Sequence, residues 1–521
     1  MKKQTLFTLA MSAMLAAGCS SDNGLDTPQG GDAQGNAYIS LNIQLPATSG
    51  TRAADNFDDG DANEFNVKST TLVVFDKDNR MERVFSTTDG TLGSLTYEKD
   101  GAANITSKAT TAALKVTEGE KHVVVVLNAS SDFISKLPKV ATLSDLFSMT
   151  ESNKAITDYT GTSNNQFVMT SSPYYDGTKI VQYATVTPTT DKNAPGNATA
   201  YVERVVGKVS AKHGTADWTD WTYTIPANEL RTGDKITIEK YALDVTNKST
   251  YLFRHTDNDW TSGANSAKFV GTATPNQRIY FAKDTNYDTY DATNDFTSYV
   301  SGNEAQIAGN LADPIYCLEN TFDVDHMKQD GTTRVIFKAK YVLKGKTDAE
   351  TFYTIGSSVT PLTEAEFKTA IEGAARRAGV TMPTTYDLTQ LKCTDEALTK
   401  AALGGEATTL SDDNITALNN ALGTIHVYEG GYCYYVGRIR HFADAVAPWT
   451  VGSATYEASA LGRFGVVRNN WYQLTVNTIK QIGSAHINKA TDAIDDENNY
   501  YIDCTINVEP WAVNTQNSFD F

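Results

Sequence analysis

Hydrophobic and polar residues alternate along much of the chain with the period of two that puts every second side chain on one face of a strand. Ala37 to Leu45 is the cleanest case: Ile39, Leu41, Ile43 and Leu45 fall on one face, and Ser40, Asn42 and Gln44 on the other. Further strands are predicted over Thr70 to Phe75, His122 to Leu127, Tyr201 to Val209, Lys235 to Val245, Arg334 to Leu343, Gly431 to Ile439 and Tyr472 to Ile479, all rich in Val, Ile, Tyr and Thr. Turns of Gly, Asn, Asp and Thr separate them, and no helix-strand rhythm appears. Antiparallel β-sandwiches are therefore expected, in a mainly β protein. Near the end Ile502, Cys504, Ile506 and Val508 alternate into a last strand and Pro510 stops it. Trp511 to Phe521 then follows as an extended tail with Trp511, Val513 and Phe519 as apolar anchors.

One region breaks the period. Thr363 and Glu366 form a capping box, Phe367, Ile371, Ala374 and Ala378 recur at helical spacing, and Gly379 can close the helix in a left-handed conformation. Second and third helices are predicted over Asp395 to Leu403 and Asp412 to Leu422, the latter capped by Ser411. Together they make a helical insertion at about 363–423, whose apolar faces are expected to pack on the sandwich. The polar stretch from Ala211 to Asp234 is the expected boundary between two sandwiches, spanning 53–225 and 226–521, although Trp218 and Trp221 within it point to packing.

The first residues set the compartment. Lys2 and Lys3, the apolar run Leu6 to Ala17, and small residues ahead of Cys19 read as a lipoprotein signal over 1–18, with Cys19 as the lipid-carrying residue. The Gly- and Asp-rich stretch from Ser20 to Gly35 is expected to act as a tether within a propeptide spanning 19–52. The cysteines Cys317, Cys393, Cys433 and Cys504 match no zinc or redox spacing. Export permits disulfides, but strand positions at Cys433 and Cys504 favour small buried thiols.

With 44 Lys+Arg against 62 Asp+Glu the net charge is -18, which opposes nucleic acid and anionic lipid. The histidines His122, His213, His255, His326, His426, His441 and His486 show no metal-ligand spacing and are expected at surfaces or turns. No nucleophile elbow, phosphate loop or dinucleotide fingerprint occurs, so no enzyme, cofactor or metal is expected. Asp284, Asn286, Asp288 and Asp295 have the spacing of a calcium loop, but Thr289 stands where such a loop needs Gly.

The chemistry that remains is at the ends. Directly after the alternating strand comes Pro46 to Ala54, small and flexible residues with one arginine, the kind of loop proteases nick. Cleavage between Arg52 and Ala53 would detach the tether and the strand together and leave an open groove. A strand-like tail needs a destination, and a second copy's groove would supply one.

Cys19, the strand from Tyr38 to Leu45, Thr51-Arg52-Ala53, His122 to Asn128, Val202 to Val209, Leu243 to Lys248, Cys317 to Phe322, Thr333 to Tyr341, Gly465 to Val476 and Val508 to Val513 come in an order that resembles the fimbrillins. These are the major subunits of type V pili of Bacteroidota, and the likeness is to the Mfa type. It spans essentially the whole chain, and Gly465 to Val476 with the Pro-Trp close is its most specific part. The resemblance implies two transthyretin-like sandwiches in tandem, an outer-membrane lipoprotein precursor, an arginine-specific surface protease, and a head-to-tail polymer made by strand exchange. Anchor and tip subunits, and host or bacterial surface ligands for adhesion and biofilm formation, are implied as partners. A cleavable arginine together with a donor tail at about 511–521 implies a stalk subunit. The alternative is a monomeric glycan-binding lipoprotein that stacks sugars on Trp218, Trp221, Trp260 and Tyr287.

Overall fold

The computed structural model describes residues 35–47, 62–99, 105–227, 231–271, 277–299, 303–383, 385, 387–404, 410–496 and 502–510. The chain is mainly β, with several sheets stacked as sandwiches; most pairings are antiparallel as expected, but one sheet of each sandwich also holds a parallel pair. The first sheet contains β1 (Ala37–Ala47), β2 (Thr70–Asp76), β3 (Met81–Ser86), β4 (Glu98–Lys99), β5 (Ile105–Thr110), β6 (Leu114–Val116) and β7 (Lys121–Leu127). Its path runs β3, β2, β7, Met169–Ser171, Gly196–Arg204, β1, β5, β4. The long strand Gly196–Arg204 joins two layers: Gly196 to Tyr201 pair with β1, and Val202 to Arg204 pair with Met169–Ser171. Such a strand makes a corner, so the sheet closes on one core. Ile39, Leu41, Ile43 and Leu45 meet Leu72, Val74, Val123 and Val125 there. Because β2 and β7 are buried along almost their full lengths, they read as continuous apolar runs.

The second sandwich has one sheet ordered Ile315–Leu318, Val206–His213, Asn470–Ile479, Ile502–Pro510. The other is ordered Trp218–Thr219, Thr222–Thr224, Lys235–Asp244, Arg334–Val342, Tyr432–Arg438. Alternate residues of Asn470–Ile479 are buried. Tyr472, Leu474 and Val476 pack there with Ile236, Tyr241, Phe337 and Tyr435. The run expected as one strand from Tyr201 to Val209 is two strands: the chain leaves the first sheet at Arg204 and enters the second at Val206. Trp218, Tyr223 and Ile225, from the stretch expected as a boundary, belong to the second core.

The helical insertion has two of its three predicted helices. Glu364–Ala378 starts in the Thr363–Glu366 capping box and ends at Gly379 with φ 68°, and Asp412–Leu422 starts at Ser411. Asp395 to Leu403 forms turns instead of a helix. Asn419 takes its backbone partners away: its Oδ1 accepts from Leu398 N at 2.9 Å and its Nδ2 donates to Leu398 O at 3.1 Å. Leu398, Ala402 and Leu403 still reach the insertion's own core with Phe367, Ile371 and Leu418. Among the described residues no helix is long and apolar enough to cross a membrane.

Buried ions join the two sandwiches. Arg254 Nε donates to Glu203 Oε1 at 2.9 Å, and Arg468 Nε donates to Glu319 Oε2 at 3.0 Å. Lys208 Nζ lies 2.7 Å from Glu64 Oε1, which also accepts from the Tyr316 hydroxyl. Arg204 Nε donates to the Glu64 carbonyl at 2.9 Å. Burial raises the Glu203 carboxyl even against Arg254, Arg468 and Arg278. Pairing of this kind is what keeps such groups charged out of water. Glu64 is the first buried charge of the described chain after β1, so it ties residues 62–65 across the junction.

Candidate functional site

The groove is built by what surrounds β1. On one side it runs parallel to Gly196–Arg204, with Ile39 opposite Gly196 and Ile43 opposite Ala200. On the other it runs antiparallel to β5, with Ile43 opposite Ala109 and Leu45 opposite Ser107, and to β6, with Ile39 opposite Leu114. An alternating strand inside a sheet can bury its apolar face completely, and it does: Ile39, Leu41, Ile43 and Leu45 are each 0% exposed. At roughly 1.5–3 kcal/mol per side chain this face contributes about 6–12 kcal/mol before entropy. Gly196, opposite Ile39, lets the backbone at Thr187 and not β1 approach closely, since a Cβ there would lie 1.9 Å from Thr187 O.

Polar contacts fix the register. Leu41 N donates to Thr111 Oγ1 at 3.0 Å, and Thr111 N to Leu41 O at 2.9 Å. Asn197 Nδ2 donates to Ser40 Oγ at 2.8 Å. Tyr38 and Thr189 exchange two backbone hydrogen bonds, at 2.7 and 3.1 Å. Removing β1 would part the Gly196–Arg204 strand from β5 and uncover the core.

The expected last strand is Ile502–Pro510. It pairs antiparallel with Asn470–Ile479 at the edge of the second sandwich, Tyr472 opposite Val508 and Leu474 opposite Ile506. It thus lies in a different sheet from β1. Cys19, Arg52, Ala53, Trp511, Val513 and Phe519 lie outside the described residues.

Other candidate positions have structural explanations. Trp218 and Trp260 are buried, and Trp218 Nε1 donates to Asn477 O at 2.7 Å; Trp221 and Tyr287 are half-buried. Asp284 is buried and accepts from Asn286 N, Asn247 Nδ2 and Thr321 N, while Asp288 is exposed, so the spacing of a calcium loop is not assembled into one. Burial pushes the Asp284 carboxyl up to about 8. No cluster of three metal-ligating side chains occurs among the described residues. Cys317, Cys393 and Cys433 are free thiols, and burial raises Cys317 and Cys433 to about 12.

Two histidines depart from the surface or turn positions expected of them: His122 and His441 are buried. His441 Nε2 lies 2.9 Å from Tyr280 O, and Nδ1 lies 2.9 Å from the Tyr472 hydroxyl. The tautomer protonated at Nε2 satisfies both contacts, donating to the carbonyl and accepting from the hydroxyl. Burial lowers the ring's pKa to about 3. Below about 6.5 the unfolded chain takes up a proton that the folded chain refuses, so stability falls as pH drops from about 6.5 toward 3. Urea titrations across that range are expected to show His441→Gln losing less than the native chain, by on the order of 3–5 kcal/mol at pH 3.

Residues 426–517 match the family model described as major fimbrial subunit protein type IV, fimbrillin, C-terminal. That span takes in Tyr432–Arg438, Asn470–Ile479 and Ile502–Pro510, so the resemblance read from the sequence is met over this segment. No curated protein matches the chain. Among solved structures the chain is similar to the tip fimbrial protein Mfa3 from Porphyromonas gingivalis, with 11% identity over 90% of this chain and 98% of that one and a TM-score of 0.36. It is also similar to a fimbrial assembly protein from Parabacteroides distasonis, with 15% identity over 62% and 84% and a TM-score of 0.28. A candidate cell adhesion protein of the same species gives 12% identity over 92% and 99% and a TM-score of 0.40.

Proposed function

We propose that this chain is a structural, non-enzymatic stalk subunit of a cell-surface fimbria, assembled by exchange of β1 for a strand of a second copy. The observation that carries the reading is the position of β1. It is an interior strand with four fully buried aliphatic side chains, it stands at the N-terminal end of the described chain, and the small-residue sequence that carries Arg52 follows directly after it. The match of residues 426–517 to the fimbrillin C-terminal model supports the family to which that exchange belongs.

In this reading Cys19 carries lipid at the outer membrane, and an arginine-specific protease cuts between Arg52 and Ala53. The tether then leaves with Ile39, Leu41, Ile43 and Leu45. The tail with Trp511, Val513 and Phe519 enters the vacated groove of the next subunit, head to tail, so the contact repeats into an open filament. Anchor and tip subunits end the polymer, and the fibre serves adhesion and biofilm formation. The ion pair of Glu64 with Lys208 lies downstream of the cut and holds the first buried charge that the described residues show after it. The division into two domains is proposed at Val205, where the chain passes between sheets, in place of the expected 225/226.

Mass determination of the N-terminus of fibres sheared from cells tests the reading. Ala53 is expected as the first residue, and Arg52→Ala is expected to leave lipidated, cell-bound monomer in place of heat-resistant ladders. Normal ladders from that variant would overturn the assignment.

A further inference from the structure

We infer that β1 carries a built-in weakness at Asn42 that sets how readily the strand leaves its groove, and this rests on the strand exchange proposed above. Asn42 stands at the middle of the strand, opposite Thr110 on β5 and Thr199 on the Gly196–Arg204 strand. Its Oδ1 is buried and has no hydrogen-bond partner among the described residues, whereas the neighbouring Ser40 Oγ accepts from Asn197 Nδ2. A buried acceptor without a donor forfeits the hydrogen bond that water gives it in the open chain.

The groove wall holds a second such atom. Ser107 Oγ, opposite Leu45, is also buried without a partner among the described residues. Both atoms regain water when β1 comes out. Their fates then diverge, because Asn42 departs with the strand and Ser107 stays. The cost at Asn42 is therefore confined to the uncleaved precursor and is absent from the finished joint. The cost at Ser107 passes to the next occupant, so the groove favours a strand from a second copy that brings an apolar or small side chain to the Asn42 register and a hydrogen-bonding one to the Leu45 register.

Four aliphatic side chains hold β1 while the loop is intact and the strand is covalently tethered. After cleavage the strand must dissociate against that burial, and a polar group that is better solvated outside speeds the step. Asn42 thus favours release without loosening the mature fibre.

The test compares Asn42→Leu with Gln44→Leu, a position on the same face that is half-buried like Asn42 but has no stranded polar atom. Purified precursor is cut with an arginine-specific protease, and release of β1, ladder formation, amide exchange on β1 and the unfolding midpoint of uncut precursor are measured. Asn42→Leu is expected to raise the midpoint, slow exchange of the β1 amides, and slow release and ladder growth by about fivefold or more. The heat resistance of finished ladders is expected to stay unchanged. Gln44→Leu is expected to match the native chain within about twofold. An Asn42→Leu precursor with the native midpoint and native release rate would overturn the inference, since water would then already reach Oδ1. Native precursor that is cut and releases β1 but never forms ladders would overturn the exchange instead, while the midpoint and amide exchange would still judge Asn42.

Discussion

Truncation after Pro510 is expected to yield a chain that folds, is cleaved after Arg52, and forms no ladders. The strand Ile502–Pro510 is paired along its whole length with Asn470–Ile479, so the second sandwich keeps this ladder when the chain stops at Pro510. The truncation removes Trp511 to Phe521, which alternates like a strand in sequence. In an extended conformation Trp511, Val513 and Phe519 would fall on one face, with Thr515 and Asn517 between Val513 and Phe519, so apolar anchoring would be concentrated at the two ends. Phe519→Asp is therefore expected to weaken ladders strongly, because it would place a carboxylate in an apolar slot at a cost of several kcal/mol. Thermal unfolding and gel ladders of the truncated and native chains decide the matter. An unchanged midpoint with loss of ladders is expected, and ladders that persist without the tail would require another donor.

How much of the fold is legible in the sequence depends on how local each signal is. β1 is legible because alternation over nine residues and a flanking loop are both contiguous. The helices Glu364–Ala378 and Asp412–Leu422 are legible because a cap and a stop lie within a few turns of each other. Asp395 to Leu403 misleads because its competitor, the Asn419 side chain, lies 21 residues from Leu398. The passage between sheets at Val205 is hidden, since a run of β-branched residues looks the same whether its two ends pair in one sheet or in two. Parallel pairing is equally invisible: β1 meets Gly196–Arg204, and Val206–His213 meets Asn470–Ile479, across more than a hundred residues. Burial of His441 and the stranded Oδ1 of Asn42 depend on neighbours of that distant kind. Periodicity alone gives Asn42 to the polar face and says nothing of what covers it.

Arg468→Ala is expected to be the most damaging substitution at the junction between the sandwiches. Its backbone N donates to Glu319 Oε1 at 3.1 Å and its Nε to Oε2 at 3.0 Å, with both side chains 0% exposed. The same guanidinium donates to Leu252 O at 3.1 Å and Tyr251 O at 2.7 Å. Leu252 and Phe253 belong to the first core, so Arg468 pins that core to the strand that begins at Asn470. Truncation to alanine would leave Glu319 buried without its cation and take one donor from each of two carbonyls, Leu252 O keeping Thr170 Oγ1 and Tyr251 O keeping Thr250 Oγ1. Breaking a buried pair from one side costs about 3–5 kcal/mol, more than the intact pair contributes relative to an apolar substitute. The urea midpoint is the readout, and a double variant sharpens it. Arg468→Met with Glu319→Gln removes both charges and is expected to recover much of the loss. If the double variant is no better than Arg468→Ala alone, the carbonyls of Tyr251 and Leu252, and not the stranded carboxylate, carry the penalty.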